Sequence, residues 1–312
     1  MSTMNVVRIE SFGGPNVLKL QKLPIPRPRN DELLVRVHAA GVSPVDYKTR
    51  EGKYPAVKAD RLPYVLGREI SGTVEVPGPG ARGWRAGDAI YAMLGLGRGG
   101  YAERVIVELV EAAHRPKSLD HVAAAGVPLA GLTAWQGLFR HGGLSMGQRV
   151  LIHGGAGGVG HFAIQLAKAR GAFVITTVSE KRMGFARELG ADQVIDYKKL
   201  RFEQVVKGVD MVFDLIGGET QSRSWDVLRR GGILVSTLTE PPAVQAQARG
   251  VRAMRFTVQE NGAELEEIGR LVDAGKVRPR ISRTFALNDV IAAQQHLEEG
   301  HTEGKVVLAI AA

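Results

Sequence analysis

The stretch RVLIHGGAGGVGHFAIQLAKARG (149–171) decides how the rest of the chain is read. Its first five residues form a short apolar run, which a strand buried on both faces needs. GHFAIQLAKAR (160–170) then spaces its apolar residues as a helix face does, and Gly171 closes it. Between them Gly155, Gly157 and Gly160 satisfy G-x-G-x-x-G. With a strand before it and a helix after it, that spacing is the dinucleotide fingerprint. Gly155 permits the tight turn, Gly157 lets the backbone approach a pyrophosphate, and Gly160 lets helix pack on strand. The candidate cradle is therefore Gly155, Ala156, Gly157, Gly158, Val159 and Gly160, with N–H groups at a helix N-terminus where an anion is stabilised. A Walker A loop is excluded, because His161 follows Gly160 where Lys is required.

Downstream the rhythm repeats. FVITTV (173–178), QVID (193–196), VDMVFDLIG (209–217) and ILVSTL (233–238) read as strands, and EKRMGFARELG (180–190) and SRSWDVLRRGG (222–232) as helices. Such alternation predicts βαβ units and a doubly wound parallel sheet. Upstream, the apolar runs LLVRVHAAGV (33–42) and ISGTVEVPG (70–78) are cut by PIPRPRND (24–31), PGPGARG (77–83) and GLGRGG (95–100), the punctuation of a mostly-β segment. After about residue 255 mixed elements return: helices over 264–275 and 288–299, strands over 281–285 and 305–310. A length of 312 residues favours two domains. The reading is an α/β fold, with a parallel-sheet domain over 121–256 inserted into a discontinuous mostly-β domain of 1–120 and 257–312. A ligand cleft is expected between them.

Composition removes whole classes of chemistry. The chain has no cysteine, which excludes disulfides, thiolate nucleophiles and every Cys-bearing metal site. Its eight His show no pair at ligand spacing on a common helix, so no metal site is expected. A formal charge of +9 raises the question of nucleic acid. The cations are dispersed, however, with no basic helix and no interleaved aromatics, so a solvated basic surface that draws small anions is expected instead. MSTMNVVRIE (1–10) lacks the plan of a signal peptide and no apolar run is long enough to span a membrane, so a soluble, cytoplasmic chain is expected. GLSMG (143–147) matches a nucleophile elbow but precedes a strand where the elbow must follow one, which makes Ser145 a turn residue.

The choice of cofactor is made at the end of the second strand, about 20 residues beyond the glycines, where an acid would hold the ribose 2′-OH of NAD. TTVSEKR (176–182) offers Ser179, Lys181 and Arg182 against the single acid Glu180. Two cations flanking one acid suit a 2′-phosphate, so NADPH is the expected cofactor. The plainer alternative is that all four are solvated residues opening a helix.

Several blocks in order resemble the zinc-independent quinone oxidoreductase branch of the medium-chain dehydrogenase/reductase superfamily: HAAGVSPVDYKTREGKYP (38–55), PYVLGREISGTVEVPGPGARGWRAGDAIYA (63–92), PLAGLTAWQGL (128–138), VLIHGGAGGVGHFAIQLAKARGA (150–172) and HTEGKVVL (301–308). The resemblance covers essentially the whole chain and implies a GroES-like first domain and a Rossmann second domain. Ser43, Arg68 and Ala130 stand where zinc-dependent relatives carry ligands, and none supplies one. The resemblance implies hydride transfer from NADPH to a quinone, or to the activated double bond of an enal or enone. It places Ser43, Lys48, Tyr54 and Arg68 as donors near the nicotinamide or substrate. Asp46 and Glu69 are expected to orient their neighbours; equally, Arg68 could form a structural ion pair with one of them. Thr133, Leu238, Phe256 and Val258 are implied beside the nicotinamide, Tyr197 beside the 2′-phosphate and Lys305 near the cofactor. A homodimer is implied as well. A 2-enoyl-thioester reductase, or a non-catalytic NADPH-binding or RNA-binding protein, are the rival readings.

Overall fold

A computed structural model describes residues 2–300 and 302–310. The chain divides into two units, one of Met1–Leu129, Glu260–Asp273 and Pro279–Ala312, the other of Ala130–Gln259 and Ala274–Arg278. The first unit carries β1 (Thr3–Ile9), β2 (Lys19–Pro24), β3 (Glu32–Val42), β4 (Tyr64–Val65), β5 (Glu69–Pro77), β6 (Ala89–Met93), β7 (Arg104–Glu108) and β8 (Ala112–His114). The second supplies β9 (Arg149–His153), β10 (Phe173–Val178), β11 (Gln193–Asp196), β12 (Val209–Asp214), β13 (Leu228–Ser236) and β14 (Arg252–Arg255). The chain then returns to the first unit with β15 (Ile281–Ala286) and β16 (Lys305–Ala309).

In the first unit, a three-stranded sheet runs β2-β1-β4 and a seven-stranded one β15-β16-β3-β5-β6-β8, with β7 also paired to β3. Its core gathers Val7, Leu33, Val37, Ile70, Ile90 and Val306, all essentially dry. Two helices matter here: α1 (Pro44–Arg50), directly after β3, and α2 (His121–Ala125). Asp120 caps α2 by accepting from Ala123 N–H at 2.7 Å. Ala125 packs with Ala39 and Val307 of the large sheet. This packing keeps α2 with the first unit, so the division falls after Leu129 where the sequence reading expects 120.

The second unit is a six-stranded sheet in the order β11-β10-β9-β12-β13-β14, with every neighbouring pair parallel. Strand order reverses between β9 and β12, the switch point at whose carboxyl side open α/β sheets bind ligands. α3 (Pro128–Trp135) leads into this unit, and α4 (Gly160–Ala169) follows β9. Leu151, Ile175, Val212 and Leu234 are fully buried along the central strands, matching the continuous apolar runs of the sequence.

Two expectations need correction. The predicted helix 222–232 ends at Ser224; a short 3-10 turn covers Trp225–Val227, and β13 begins at Leu228. Trp225 and Val227 are spent on the core, and Gly231 takes φ 76, so the Arg-Arg-Gly-Gly run enters the sheet through a register shift opposite Val209 and Met211. The sequence reading also misses α1, β14 and the π-helical turn Gln136–His141 that extends α3. Ser145 is exposed, and its N–H donates to Gln148 Oε1 at 2.9 Å, as a turn residue should. Among the described residues no helix is long and apolar enough to cross a membrane.

A Cβ at Gly160 would collide with the Gly154 carbonyl and Gly155 Cα, so α4 meets the turn only through glycine. Gly160→Ala is expected to destabilise the second unit by about 1–3 kcal/mol through overpacking, read as a lowered urea midpoint; an unchanged midpoint would show that the turn can yield.

Candidate active site

The glycine turn shows which residues its own packing requires. Gly154, rather than Gly155, takes the left-handed conformation, at φ 75. A Cβ on Gly155 would collide with the Thr176 side chain, and one on Gly160 with the turn itself. Gly157 differs: its Cβ would lie 3.4 Å from Gly154 O, an ordinary contact. The packing around the turn therefore does not demand glycine at this position. Gly157 N–H donates to Gly154 O at 3.1 Å, while no backbone carbonyl among the described residues accepts from Ala156, Gly158 or Val159. These amides stand before α4, a helix of ten residues buried from Gly160 to Ala167, at the end where a helix dipole favours an anion. His153, at the end of β9, is a satisfied core residue. Its Nδ1 and Nε2 lie 3.0 Å from Thr177 Oγ1 and Ser224 Oγ, and burial pushes its pKa down to about 4.

At the end of β10, Ser179 opens a short 3-10 turn over Glu180–Arg182. Lys181 and Tyr197 are exposed and Ser179 and Arg182 half-buried. Tyr197 follows β11 directly, and β10 and β11 pair in parallel with Val178 opposite Asp196, so the two exit turns lie side by side. Sequence reasoning missed Lys199, whose Nζ lies 2.5 Å from Glu180 Oε1. Only the pairing of β10 with β11 could have revealed it.

The residues implied beside the nicotinamide are tied together by two unforeseen side chains. Asp214, buried at the carboxyl end of β12, accepts from Ile216 N–H at 3.0 Å and Gly217 N–H at 2.8 Å with one oxygen. Its other oxygen accepts from Ser236 Oγ at 3.0 Å and Gln221 Nε2 at 3.1 Å. Ser236 Oγ in turn accepts from Leu238 N–H at 3.2 Å, and Ser236 O from Phe256 N–H at 3.1 Å. Gln136, in the π turn, brackets the backbone of Gln259: Nε2 donates to its carbonyl at 2.9 Å and Oε1 accepts from its N–H at 3.0 Å. Leu238, Phe256 and Val258 therefore lie on segments fastened at both ends. Thr133 is buried one turn before Gln136 on α3.

In the first unit, three adjacent strands bring charge together at one end of the sheet. Lys305 opens β16, Ser43 follows β3 and Glu69 opens β5; all three are buried. Lys305 Nζ donates to Glu69 Oε1 at 2.6 Å, to Ser43 Oγ at 2.5 Å and to Val42 O at 3.4 Å. Ser43 Oγ donates to Glu69 Oε1 at 3.0 Å, and Leu129 N–H donates to Glu69 Oε2 at 2.8 Å. Gly41 makes room, because a Cβ there would collide with the Glu69 carboxylate. Asp46 holds the start of α1 by accepting from Ser43 N–H at 2.8 Å and from Gly67 N–H at 3.1 Å. Burial pushes its carboxyl up to about 6, with Glu69 adding to the rise and the Ser43 N–H and Lys305 opposing it.

Of the four expected donors, Ser43 is in this cluster with Lys305. Arg68 is committed elsewhere: its Nε donates to Leu94 O at 2.7 Å and its NH2 pairs with Glu260 at 2.7 Å, so neither Asp46 nor Glu69 is its partner. Tyr54 is half-buried against the core. Lys48, half-buried in the last turn of α1, has no side-chain partner among the described residues.

Residues 29–117 match the alcohol dehydrogenase GroES-like domain and residues 189–308 the zinc-binding dehydrogenase domain. The chain is 36% identical to the mitochondrial NAD(P)H oxidoreductase RTN4IP1 of Danio rerio, over 97% of this chain and 90% of that protein. It is 36% identical to the chloroplastic NADPH-dependent alkenal/one oxidoreductase of Arabidopsis thaliana, over 95% of this chain and 77% of the relative. The solved quinone oxidoreductase of Coxiella burnetii superimposes with a TM-score of 0.91 at 37% identity, covering 99% of this chain and 100% of that one.

Lys305→Met leaves Glu69 charged and buried without its partner, so a loss of about 3–5 kcal/mol is expected in urea unfolding. Adding Glu69→Gln should restore part of it; a double variant as unstable as the single would refute the pairing. Asp46 gives a second expectation. Its folded pKa stands above the usual carboxyl value of 3.8, so the folded state holds a proton that the unfolded chain has lost between about pH 4 and pH 6. Its contribution is complete below that window and is lost as pH rises through about 6. Asp46→Asn should remove this fall, so the stability of the variant minus that of the parent should rise by on the order of 2–3 kcal/mol from pH 4 to pH 7. A constant difference would show that Asp46 titrates normally.

Proposed function

The chain belongs to the medium-chain dehydrogenase/reductase superfamily, in its quinone oxidoreductase branch, and on that premise we propose that it passes hydride from NADPH to a quinone or to the activated C=C bond of an enal or enone. It is an NAD(P)H-dependent oxidoreductase; the choice of NADPH and of acceptor are the proposal. The observation that carries it is Gly157, where the surrounding packing leaves room for a Cβ, beside three backbone amides with no carbonyl partner among the described residues. When bound, the nicotinamide supplies the hydride at its C4.

The chain's own residues bind and orient. Gly155, Ala156, Gly157, Gly158, Val159 and Gly160 take the pyrophosphate through backbone N–H groups. Ser179, Lys181, Arg182 and Tyr197 take the 2′-phosphate. Thr133, Leu238, Phe256 and Val258 border the nicotinamide, held still by Asp214 and Gln136. Lys48 is the donor we assign to the oxyanion that develops on the acceptor, since its ammonium has no partner among the described residues, whereas Arg68 is held by Glu260. Lys305 polarises the Ser43 hydroxyl rather than meeting the cofactor directly.

The proposal uses no zinc, and the residues at the positions matching the ligands do not fit one. The Ser43 hydroxyl is taken up by Lys305 and Glu69, the Arg68 guanidinium by Leu94 and Glu260, and Ala130 offers only a methyl group. Among the described residues no group of three or more His, Cys, Asp or Glu could hold a metal ion. Homodimer assembly and a cytoplasmic address belong to the same proposal, although two of the relatives carry organelle addresses in their names.

NADPH oxidation with a quinone, an alkenal and an enoyl thioester in parallel tests the reading. Turnover of the first two is expected. Turnover of the thioester alone would favour the thioester reductase, and tight NADPH binding without turnover a non-catalytic protein. Lys181→Glu should weaken NADPH about tenfold, the loss of roughly one charge-assisted hydrogen bond, and leave NADH unchanged. An unaltered preference would refute the phosphate site.

A further inference from the structure

Glu180 stands about 20 residues beyond Gly160, where a carboxylate favours a bare ribose diol and repels a 2′-phosphate. Its charge is therefore at odds with Ser179, Lys181 and Arg182 on either side of it. The structure brings in a cation from outside this segment. The turn after β11 is shaped by Lys199 N–H donating to Asp196 O at 3.1 Å and Leu200 N–H donating to the same carbonyl at 3.0 Å. Because β11 pairs with β10, that turn lies against Ser179–Arg182, and Lys199 Nζ comes within 2.5 Å of Glu180 Oε1. Both side chains are about two-thirds exposed, so the pair adds little to stability. Fold stability gives no reason for it; its place beside the proposed 2′-phosphate site does.

We infer that Lys199 sets cofactor specificity by cancelling the charge of Glu180, so that the 2′-phosphate of NADPH meets a net positive surround. The inference rests on the proposed preference for NADPH. It makes Lys199 a positioning residue that acts through Glu180, not a ligand of the phosphate.

A binding cycle tests it, with NADPH and NADH each titrated by fluorescence against the parent, Lys199→Ala, Glu180→Gln and the double variant. Lys199→Ala is expected to weaken NADPH about fivefold, the effect of one freed charge near a dianion in a high-dielectric setting, and to leave NADH unchanged or tighter. In the Glu180→Gln background the same change should cost NADPH less than about twofold. An equal loss in both backgrounds would overturn the inference, because Lys199 would then touch the phosphate itself. Equal affinity of the parent for NADPH and NADH would instead sink the NADPH reading, and the inference with it. A parent that prefers NADPH and a Lys199→Ala variant with the same preference would sink the inference alone.

Discussion

A charge taken out of water must be matched where it is buried, and the Lys305–Glu69 pair is where this chain meets that requirement. The pair joins β16, β3 and β5, the three strands at the centre of the larger sheet, at the end where α1 departs. Ser43 lies between the two charges and Gly41 is kept small for the carboxylate. Asp46, a few residues on, then has to hold the helix start without a cation of its own, and its raised pKa is the cost of that position. Arg50, on the same helix, repeats the pattern. It is fully buried, and its guanidinium donates to Gly13 O, Gln294 Oε1 and Glu298 Oε1. In the first unit, Lys305 and Arg50 are thus buried charges answered by side chains on neighbouring strands and helices.

The second unit follows a different constraint. Its central strands are dry on both faces, and apart from Thr176 inside β10 their buried polar groups gather at the carboxyl ends, where they brace the chain. Asp214 and Ser236 brace the exits of β12 and β13, and Gln136 braces Gln259. At the exit of β9 the amides of Ala156, Gly158 and Val159 meet no backbone carbonyl among the described residues, and at the exit of β10 Lys181 is exposed. The braces thus stand beside the turns that the proposed function gives to the nucleotide.

Much of this was legible in the sequence. The period of the parallel sheet, its glycine turn and the cations after β10 are local patterns, and QVID and FVITTV are strands with the bounds the pattern set. What escaped was non-local or dictated by packing. Trp225 pulled a predicted helix into a strand, because its burial outweighs helical spacing in the arginines that follow. Ser43 and Lys305 were singled out, but not their meeting, since 262 residues separate them. Sequence neighbours offer Arg68 only Asp46 or Glu69, whereas its partner is Glu260, 192 positions away. Gln136, Asp214 and Lys199 are ordinary polar residues until the strand order places something opposite them.

The glycine turn has a consequence for how such chains change over time. Gly155 and Gly160 are constrained by the turn's own atoms, so they should persist in any descendant that keeps the fold, whatever it does. Gly157 has room for a methyl group within the turn, so only the proposed pyrophosphate contact would hold it as glycine. In a lineage that abandoned redox chemistry, position 157 would be released to drift while 155 and 160 stayed fixed. On the proposed pyrophosphate contact, the residue at that single position would record whether selection still acts on the cofactor or only on the scaffold.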